Sequence, residues 1–482
     1  MTQIGIFSDP RYPCSSAAKT PFHRRKVFAI VSNPNVSEVT RRGFLQKSLT
    51  GLAVAGLPAW LVDEAQAHEQ QRAASMPLPK GPNEMIRLGV IGPGGSKGGY
   101  RQGLGVARAA HGKQNCRVVA ACDVDKTHRD EAVKAFGEGA QGYVDYREVI
   151  ARPDIDAVVI GTPDHWHAVI AIAAMRAGKH VYCEKPLTHN VNEGKALTRV
   201  ARETGRIFQV GSQQRSDGRF RLACEVVRNG RIGKVKRVEA RLPGAPAGGP
   251  FPPQPVPADF DFDRWLGPAP HADYVKERTH GNFRYWYEYA GGMMTDWGAH
   301  HLDITQWGLG MDRSGPIAVS STGTLPENAT KRNAYNVHTS FDVTYTYRPL
   351  GTTGNDDITV LATSKGENGV RFEGDAGWVF VSRGKIEASD PKILSEPLTD
   401  GAIRLYASND HMGNFIEGVR TGKPCICDAE TGHRSVSVCH IGNISLRLGG
   451  RRLEWDPRRQ EFKNDGEANA LLGRQMRREY AV

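Results

Sequence analysis

Ile86-Arg87-Leu88-Gly89-Val90-Ile91-Gly92-Pro93-Gly94-Gly95-Ser96-Lys97-Gly98-Gly99 is a short apolar run that ends in a glycine-rich turn, with a helical stretch through Ala110 behind it. A buried strand entering such a turn lets bare backbone approach a pyrophosphate and aims the N–H groups of the next helix at it. The match to a dinucleotide fingerprint is partial. Gly92-x-Gly94 is in place, but Lys97 stands where the third glycine is due and Gly98 comes one residue late. Alone, the loop is as consistent with a plain glycine-rich turn.

Its surroundings favour the dinucleotide. Val118 to Cys122 reads as a second strand closing on Asp123, followed by a helix around Glu131 to Phe136. Strands at Ala157 to Ile160, His180 to Cys183 and Ile207 to Val210 alternate with helices at Ala168 to Ala177 and around Leu197 to Glu203. This alternation predicts parallel βαβ units in an α/β Rossmann domain, a doubly wound parallel sheet, over residues 86–211. An acid at Asp123 can accept hydrogen bonds from an adenosine ribose, which favours NAD, whereas Lys126 and Arg129 just beyond it would suit the extra phosphate of NADP.

Two later strand ends carry Gly161-Thr162-Pro163-Asp164-His165-Trp166-His167 and Glu184-Lys185-Pro186. Ligands on doubly wound sheets sit beyond the carboxyl ends of the strands, where both segments must lie. In the second half, Gly291-Gly292-Met293-Met294-Thr295-Asp296-Trp297-Gly298-Ala299-His300-His301-Leu302-Asp303 spaces Asp296 and His300 four apart, on one face if the segment is helical. The combination resembles the Gfo/Idh/MocA oxidoreductases, densely from about Ile86 to Val210 and more loosely to about Asp456. The resemblance implies an α+β substrate domain with a large open, mainly antiparallel sheet over residues 212–456. It places the lysine of Glu-Lys-Pro, Lys185, against nicotinamide and substrate, with Asp296 and His300 as the second catalytic motif. The expected cofactor contacts are Gly92, Gly94, Gly95, Asp123, Thr162, Pro163, His165, Glu184, Lys185 and Gln213.

Oxidising a secondary alcohol needs a hydride acceptor and a base for the hydroxyl proton. The unperturbed pKa of histidine suits the second task, and a lysine can stabilise developing alkoxide charge. The expected roles are His300 as acid/base, Lys185 as the oxygen-polarising partner and Asp296 as the carboxylate that orients the imidazole. A single histidine or lysine would more often be a core or surface residue, but the three together beside a dinucleotide loop point to catalysis. Sugars offer apolar faces to aromatic rings and hydroxyls to charged groups, so Arg284 and Trp286, from Phe283-Arg284-Tyr285-Trp286-Tyr287-Glu288-Tyr289, are substrate-site candidates with Trp297 and His301. Core packing explains most of those rings equally well, and Asp303 reads either as part of the motif or as a buried structural acid. No metal ligand set is expected.

From Ser212 onward the pattern turns to alternating strands, at Val235 to Arg241, His338 to Tyr347, Ile358 to Ser364, Val370 to Glu373 and Trp378 to Ser382. Pro252 to Pro257 is a stiff loop that needs no protein partner to explain it. Asp410 is placed to N-cap a helix, and residues 457–482, with Arg474, Arg477 and Arg478, read as a solvated basic tail.

Residues 1–67 read as an address. Thr40-Arg41-Arg42-Gly43-Phe44-Leu45 is a twin-arginine pattern, followed by a weakly apolar run from Leu49 to Val62 and by Ala65-Gln66-Ala67, a small-residue cleavage site. The run falls short of the roughly 20 residues that a membrane span needs. Export by the twin-arginine machinery to the periplasm, as a folded protein with its dinucleotide already bound, is the expectation, and residues 68–85 form a linker. Of the net charge of +11 in this 482-residue chain, +4 lies before His68, where eight Lys and Arg face four acids. The remaining +7 is spread without a basic stripe and argues against a nucleic-acid partner. Of the eight cysteines, Cys14 falls in the leader; the other seven, with Cys425-x-Cys427 as the one close pair, lack the paired spacing of disulfides or a zinc site and read as buried thiols.

The whole predicts an NAD(P)-dependent oxidoreductase for a secondary hydroxyl of a sugar, cyclitol or glycoside, and the resemblance implies a homo-oligomer, since members of the family often pair through the open sheet. Two alternatives share the fold: a glycoside hydrolase that uses transient oxidation and elimination, and a sensor that binds dinucleotide or sugar without turnover. Retention of Lys185, Asp296 and His300 argues against the sensor.

Overall fold

The computed structural model describes residue 81, residues 83–349 and residues 356–481; the twin-arginine segment, its cleavage site and most of the linker lie outside them. The first domain runs β1 (Ile86–Ile91), α1 (Gln102–His111), β2 (Cys116–Cys122), α2 (Lys126–Phe136), β3 (Gln141–Tyr143), α3 (Tyr146–Ala151), β4 (Ala157–Ile160), α4 (Asp164–Arg176), β5 (His180–Cys183), α5 (Val191–Thr204) and β6 (Phe208–Val210). All pairings are parallel, in the order β3-β2-β1-β4-β5-β6. This is the Rossmann order, with its switch point between β1 and β4. Helices cover both faces, so Ala157-Val158-Val159-Ile160 is buried at every residue and shows no alternation. The edge strand β3 and helix α3 escaped the sequence reading because Gln141-Gly142-Tyr143 is three residues long, polar and largely exposed.

The glycine-rich loop is longer than its spacing implied. Lys97–Gly99 makes one 3₁₀ turn, with Gly98 at φ 66°, and α1 starts only at Gln102. The third-glycine role falls to Gly103. A Cβ there would lie 2.3 Å from the Gly92 carbonyl oxygen, and one on Gly161 would lie 2.6 Å from Gly103 Cα. Helix and two strand ends thus meet backbone to backbone, which is what that glycine is for.

The second domain contains α6 (Gly218–Arg228), β7 (Val235–Arg241), α7 (Phe262–Leu266), α8 (Met293–Asp296), α9 (Gly298–Leu309), β8 (Ala318–Thr324), β9 (Ser340–Tyr347), β10 (Ile358–Thr363), β11 (Gly369–Gly374), β12 (Gly377–Ser382) and β13 (Lys385–Ala388). After α10 (Lys392–Ser395) come α11 (His411–Thr421), α12 (Ala429–Arg447), β14 (Leu453–Asp456), β15 (Glu461–Phe462) and α13 (Gly466–Ala470). Nine strands form one sheet, β13-β12-β11-β7-β10-β9-β8-β14-β15, in which β7 with β10 is a parallel pair and the other neighbours are antiparallel. Along β9 the alternation is strict: Phe341, Val343, Tyr345 and Tyr347 are buried, and Tyr345 Oη donates to the Val438 carbonyl of α12 at 2.9 Å.

The two domains share backbone bonds. Val210 N–H donates to Cys427 O at 2.9 Å, and a ring nitrogen of His411 lies 2.8 Å from Val210 O. Asp410 N-caps α11 through Gly413 N–H, as expected. Residues 474–480 differ from the expected solvated tail, because Arg474 and Arg477 find partners. Arg474 donates to Glu193 Oε1 at 2.8 Å and to His165 O at 2.7 Å, Arg477 pairs with Asp263, and Tyr480 packs edge-on to Trp166 at 5.1 Å. The seven cysteines among the described residues are buried and free, and no described helix is long and apolar enough to cross a membrane.

Candidate active site

The dinucleotide cleft opens where β1 and β4 part. Gly92 and Gly94 have φ of 72° and 67°, and a Cβ on Gly92 would lie 2.6 Å from the backbone nitrogen of Thr162. No side chain caps α1; Leu104 N–H donates to the Pro93 carbonyl at 2.7 Å, which leaves the N–H groups of Gln102 and Gly103 in its first turn for a phosphate. Asp123 accepts from Gly94 N–H at 3.3 Å and from Asp125 N–H at 3.0 Å, and lines the cleft with Thr162, Pro163, Trp166 and Tyr480. The Thr162 hydroxyl is buried without a hydrogen-bond partner. Lys126 is paired with Asp130 at 2.5 Å, and Arg129 donates to the Asp123 carbonyl at 3.3 Å. The cations proposed for an NADP phosphate are therefore engaged, while the Asp123 carboxylate faces the cleft. These residues fit a dinucleotide.

Beside it lies a cavity of about 860 Å³ whose wall includes Lys185, Arg284, Asp296, Trp297, His300 and Arg383; Tyr100 lines both spaces. Lys185 Nζ donates to Asp296 Oδ1 at 2.7 Å and to its carbonyl at 3.0 Å, and Arg284 Nε donates to the same Oδ1 at 3.0 Å. Burial opposes the Lys185 charge, but the Asp296 carboxylate outweighs it, so its pKa is raised and the ammonium persists. Burial likewise opposes the Asp296 charge, and Lys185 and Arg284 override it, holding the carboxyl well below its ordinary range. Burial first, then Lys185 and Arg383, push His300 well below the usual histidine value, so its ring is neutral near pH 7.

The Asp-x-x-x-His pair does not act as its spacing implied. Asp296 ends α8 and His300 sits in α9, with the break at Trp297. Asp296 is spent on two cations and does not orient the imidazole. The group at hydrogen-bond distance from His300 Nε2 is Arg383, at 3.0 Å.

Other candidates also moved. His165 is fully buried against Trp265 and Tyr289 with Nε2 3.1 Å from Trp265 O, and its neighbour Trp166 faces the cleft instead. Trp286 is core: its indole donates to Glu277 O at 2.9 Å and Arg278 stacks on it at 3.9 Å. His301 is buried and paired with Asn368. Gly95 packs under His128, off the cleft wall. Glu184 lies behind the cavity, accepting from Gln213 at 2.9 Å and Gln102 at 3.3 Å, so Gln213 reaches the wall as a braced residue. Asp303 is structural, bonded twice at 2.8 Å to buried Arg215.

Sequence reasoning missed Tyr100, Gln102, Asp164 and Arg383. Tyr100 and Gln102 follow the glycine loop directly, a position that marks the switch point. Asp164 stands inside the quoted Thr162–His167 segment; burial pushes its pKa up to about 7. Arg383 occupies the turn between β12 and β13, where no motif signals it.

A Rossmann cleft that shares a wall with a cavity holding a buried ammonium and a neutral imidazole defines a dinucleotide-dependent oxidoreductase. Models of the oxidoreductase family's NAD-binding Rossmann fold and of its C-terminal alpha/beta domain match residues 86–212 and 248–482. The chain belongs to the Gfo/Idh/MocA family of oxidoreductases, with its NAD-binding Rossmann fold. It is 33% identical over 242 residues to inositol 2-dehydrogenase of Rhizobium meliloti, a match spanning 50% of this chain and 59% of that one, under two thirds of the relative. It is 26% identical over 355 residues to scyllo-inositol 2-dehydrogenase (NAD(+)) of Bacillus subtilis, covering 72% and 90%. The solved WlbA dehydrogenase from Chromobactrium violaceum, in complex with NADH and UDP-GlcNAcA, shares the fold at a TM-score of 0.57 and 19% identity, over 79% of this chain and 99% of that one.

Proposed function

We propose that the protein oxidises a secondary hydroxyl of a sugar, cyclitol or glycoside, and that it is exported with its dinucleotide in place. The observation that carries the first part is the placement of the Lys185 ammonium and the His300 imidazole on one cavity whose wall continues, through Tyr100, into the dinucleotide cleft. The inositol dehydrogenases among its relatives support the substrate class, and the twin-arginine pattern at residues 40–45 supports export.

Bound NAD supplies the acceptor for the hydride that leaves the carbinol carbon. The chain's own residues handle the oxygen. Lys185, kept charged by Asp296, donates to the hydroxyl oxygen and stabilises the alkoxide as it forms. His300, kept neutral by burial, takes the hydroxyl proton. Arg284 shares Asp296 and fixes the carboxylate that holds Lys185 in place.

The test is nicotinamide reduction across a panel of cyclitols and sugars. Lys185→Ala and His300→Ala should each lower kcat by about 10²–10⁴-fold, the range of a positioned acid–base group. Undiminished reduction in both variants would overturn the assignment. Turnover of a chromogenic glycoside with no net reduction would replace it with the hydrolase reading.

A further inference from the structure

We propose that the substrate carries an anionic substituent, a carboxylate or a phosphate, and that Arg383 both recognises it and holds the base masked until it arrives. The proposal rests on the dehydrogenase reading above and narrows its substrate class.

Arg383 sits in the turn joining β12 to β13, completed by Gly384 at φ 88°. Its guanidinium lies 4.8 Å from the centre of the Trp297 ring and 3.0 Å from His300 Nε2. The other cations on the cavity wall, Lys185 and Arg284, share Asp296. Asp217, also on the wall, is paired with Arg219 at 2.7 Å. Among the described residues Arg383 has no carboxylate partner; its polar contact is the imidazole. A guanidinium presents a planar fork that matches carboxylate and phosphate oxygens two at a time, a far stronger bond than one to a neutral ring. Exposed at the cavity mouth and without a carboxylate of its own, this cation is free to take an anion that comes with the substrate.

The same contact bears on the base. A guanidinium only donates, so His300 Nε2 must be the accepting nitrogen and the ring proton sits on Nδ1, which is buried without a partner. The lone pair that must take the hydroxyl proton is occupied. An anion that draws Arg383 away from the ring frees Nε2 at the moment when substrate is in place. Neutral polyols leave the bond intact and meet a masked base.

Binding of D-glucuronate, D-glucose 6-phosphate and the neutral D-glucuronamide to the NADH-loaded full-length enzyme, measured by calorimetry, tests this. Wild type should bind at least one anion about 30-fold or more tightly than the amide, with a change in Trp297 fluorescence, as expected for a bidentate charged pair. The carboxylate and phosphate arms identify which anion is read. Arg383→Gln should bring the ratio to within about 3-fold, and Arg383→Lys should keep part of it, since the charge remains and the fork is lost. In turnover, Arg383→Gln should lower kcat/KM for the acid, which loses its partner, and raise it for the amide, which meets an unmasked base. Equal affinity for acids and amide in wild type, or discrimination that survives Arg383→Gln, overturns the proposal. Oxidation of neutral inositol without anion preference would do so while leaving the dehydrogenase reading standing. Failure of every polyol, charged or neutral, to reduce NAD would instead bring down that reading.

Discussion

Asp164 is buried beside Arg284, Lys185 and Asp296, and its pKa of about 7 has a signed consequence. In the unfolded chain this carboxyl ionises near 4, so between about pH 4 and 7 the folded state holds a proton that the unfolded state has lost. Its contribution to stability therefore declines as pH rises through that window. Asp164→Asn should remove the decline, raising stability at pH 8 relative to pH 5 by about 2 kcal/mol against wild type; thermal melts at the two values check it. Lys185, Asp296 and His300 were legible at this scale because a local motif marks each. Arg383 was not, since its role comes from a hairpin turn that only the tertiary fold brings to His300. His165 and Trp286 misled because an aromatic or imidazole ring beside a site has the same sequence signature whether it lines a cavity or supports its wall.

The elements themselves were legible wherever hydrophobic period or length gave a signal, as in β1, β4, β5 and β9. What failed was junctions. The start of α1 slid to Gln102 because the loop holds an extra 3₁₀ turn, and the segment that would have put Asp296 and His300 on one face if it were a single helix breaks at Trp297 into two. The contact between α1 and β1 gives a paired prediction. Gly103→Ala puts a Cβ 2.3 Å from the Gly92 carbonyl, a backbone atom that cannot step aside, and should cost about 1–3 kcal/mol and weaken NAD binding. Gly105, two residues on, faces open space, so Gly105→Ala should be neutral or stabilising by a few tenths of a kcal/mol up to about 1. Chemical denaturation of both variants, with and without NAD, separates the two outcomes.

Across the whole molecule, burial governs how the protein responds to acid. Desolvation pushes His167, His180, His301, His338, His411 and His433 down to about 4 and His440 to about 3. The unfolded chain takes up protons below about 6.5 that these rings refuse while folded, so stability present above that pH is lost as pH falls toward 4. Seven such groups outweigh the opposite slope of Asp164. Together they give several kcal/mol per pH unit, against a total of about 5–15 kcal/mol for a folded domain. Cooperative unfolding between about pH 6 and 4, followed by circular dichroism, is the expected result; a fold intact at pH 4 would contradict it. If the enzyme travels with its dinucleotide, protein purified without added cofactor should release close to one NAD(H) per chain on denaturation. An empty protein would remove that part of the proposed function.

The C-terminal segment adds an order of events. Tyr480 stands on the cleft wall, and Arg474 is tied to Glu193, 281 positions earlier. A ribosome finishes the Rossmann strands long before it makes these residues, so the nascent first domain has a cleft with one side missing. The cleft gains this wall only after residues 474–480 have emerged, so a first domain without them should hold the dinucleotide more weakly than one packed against Tyr480.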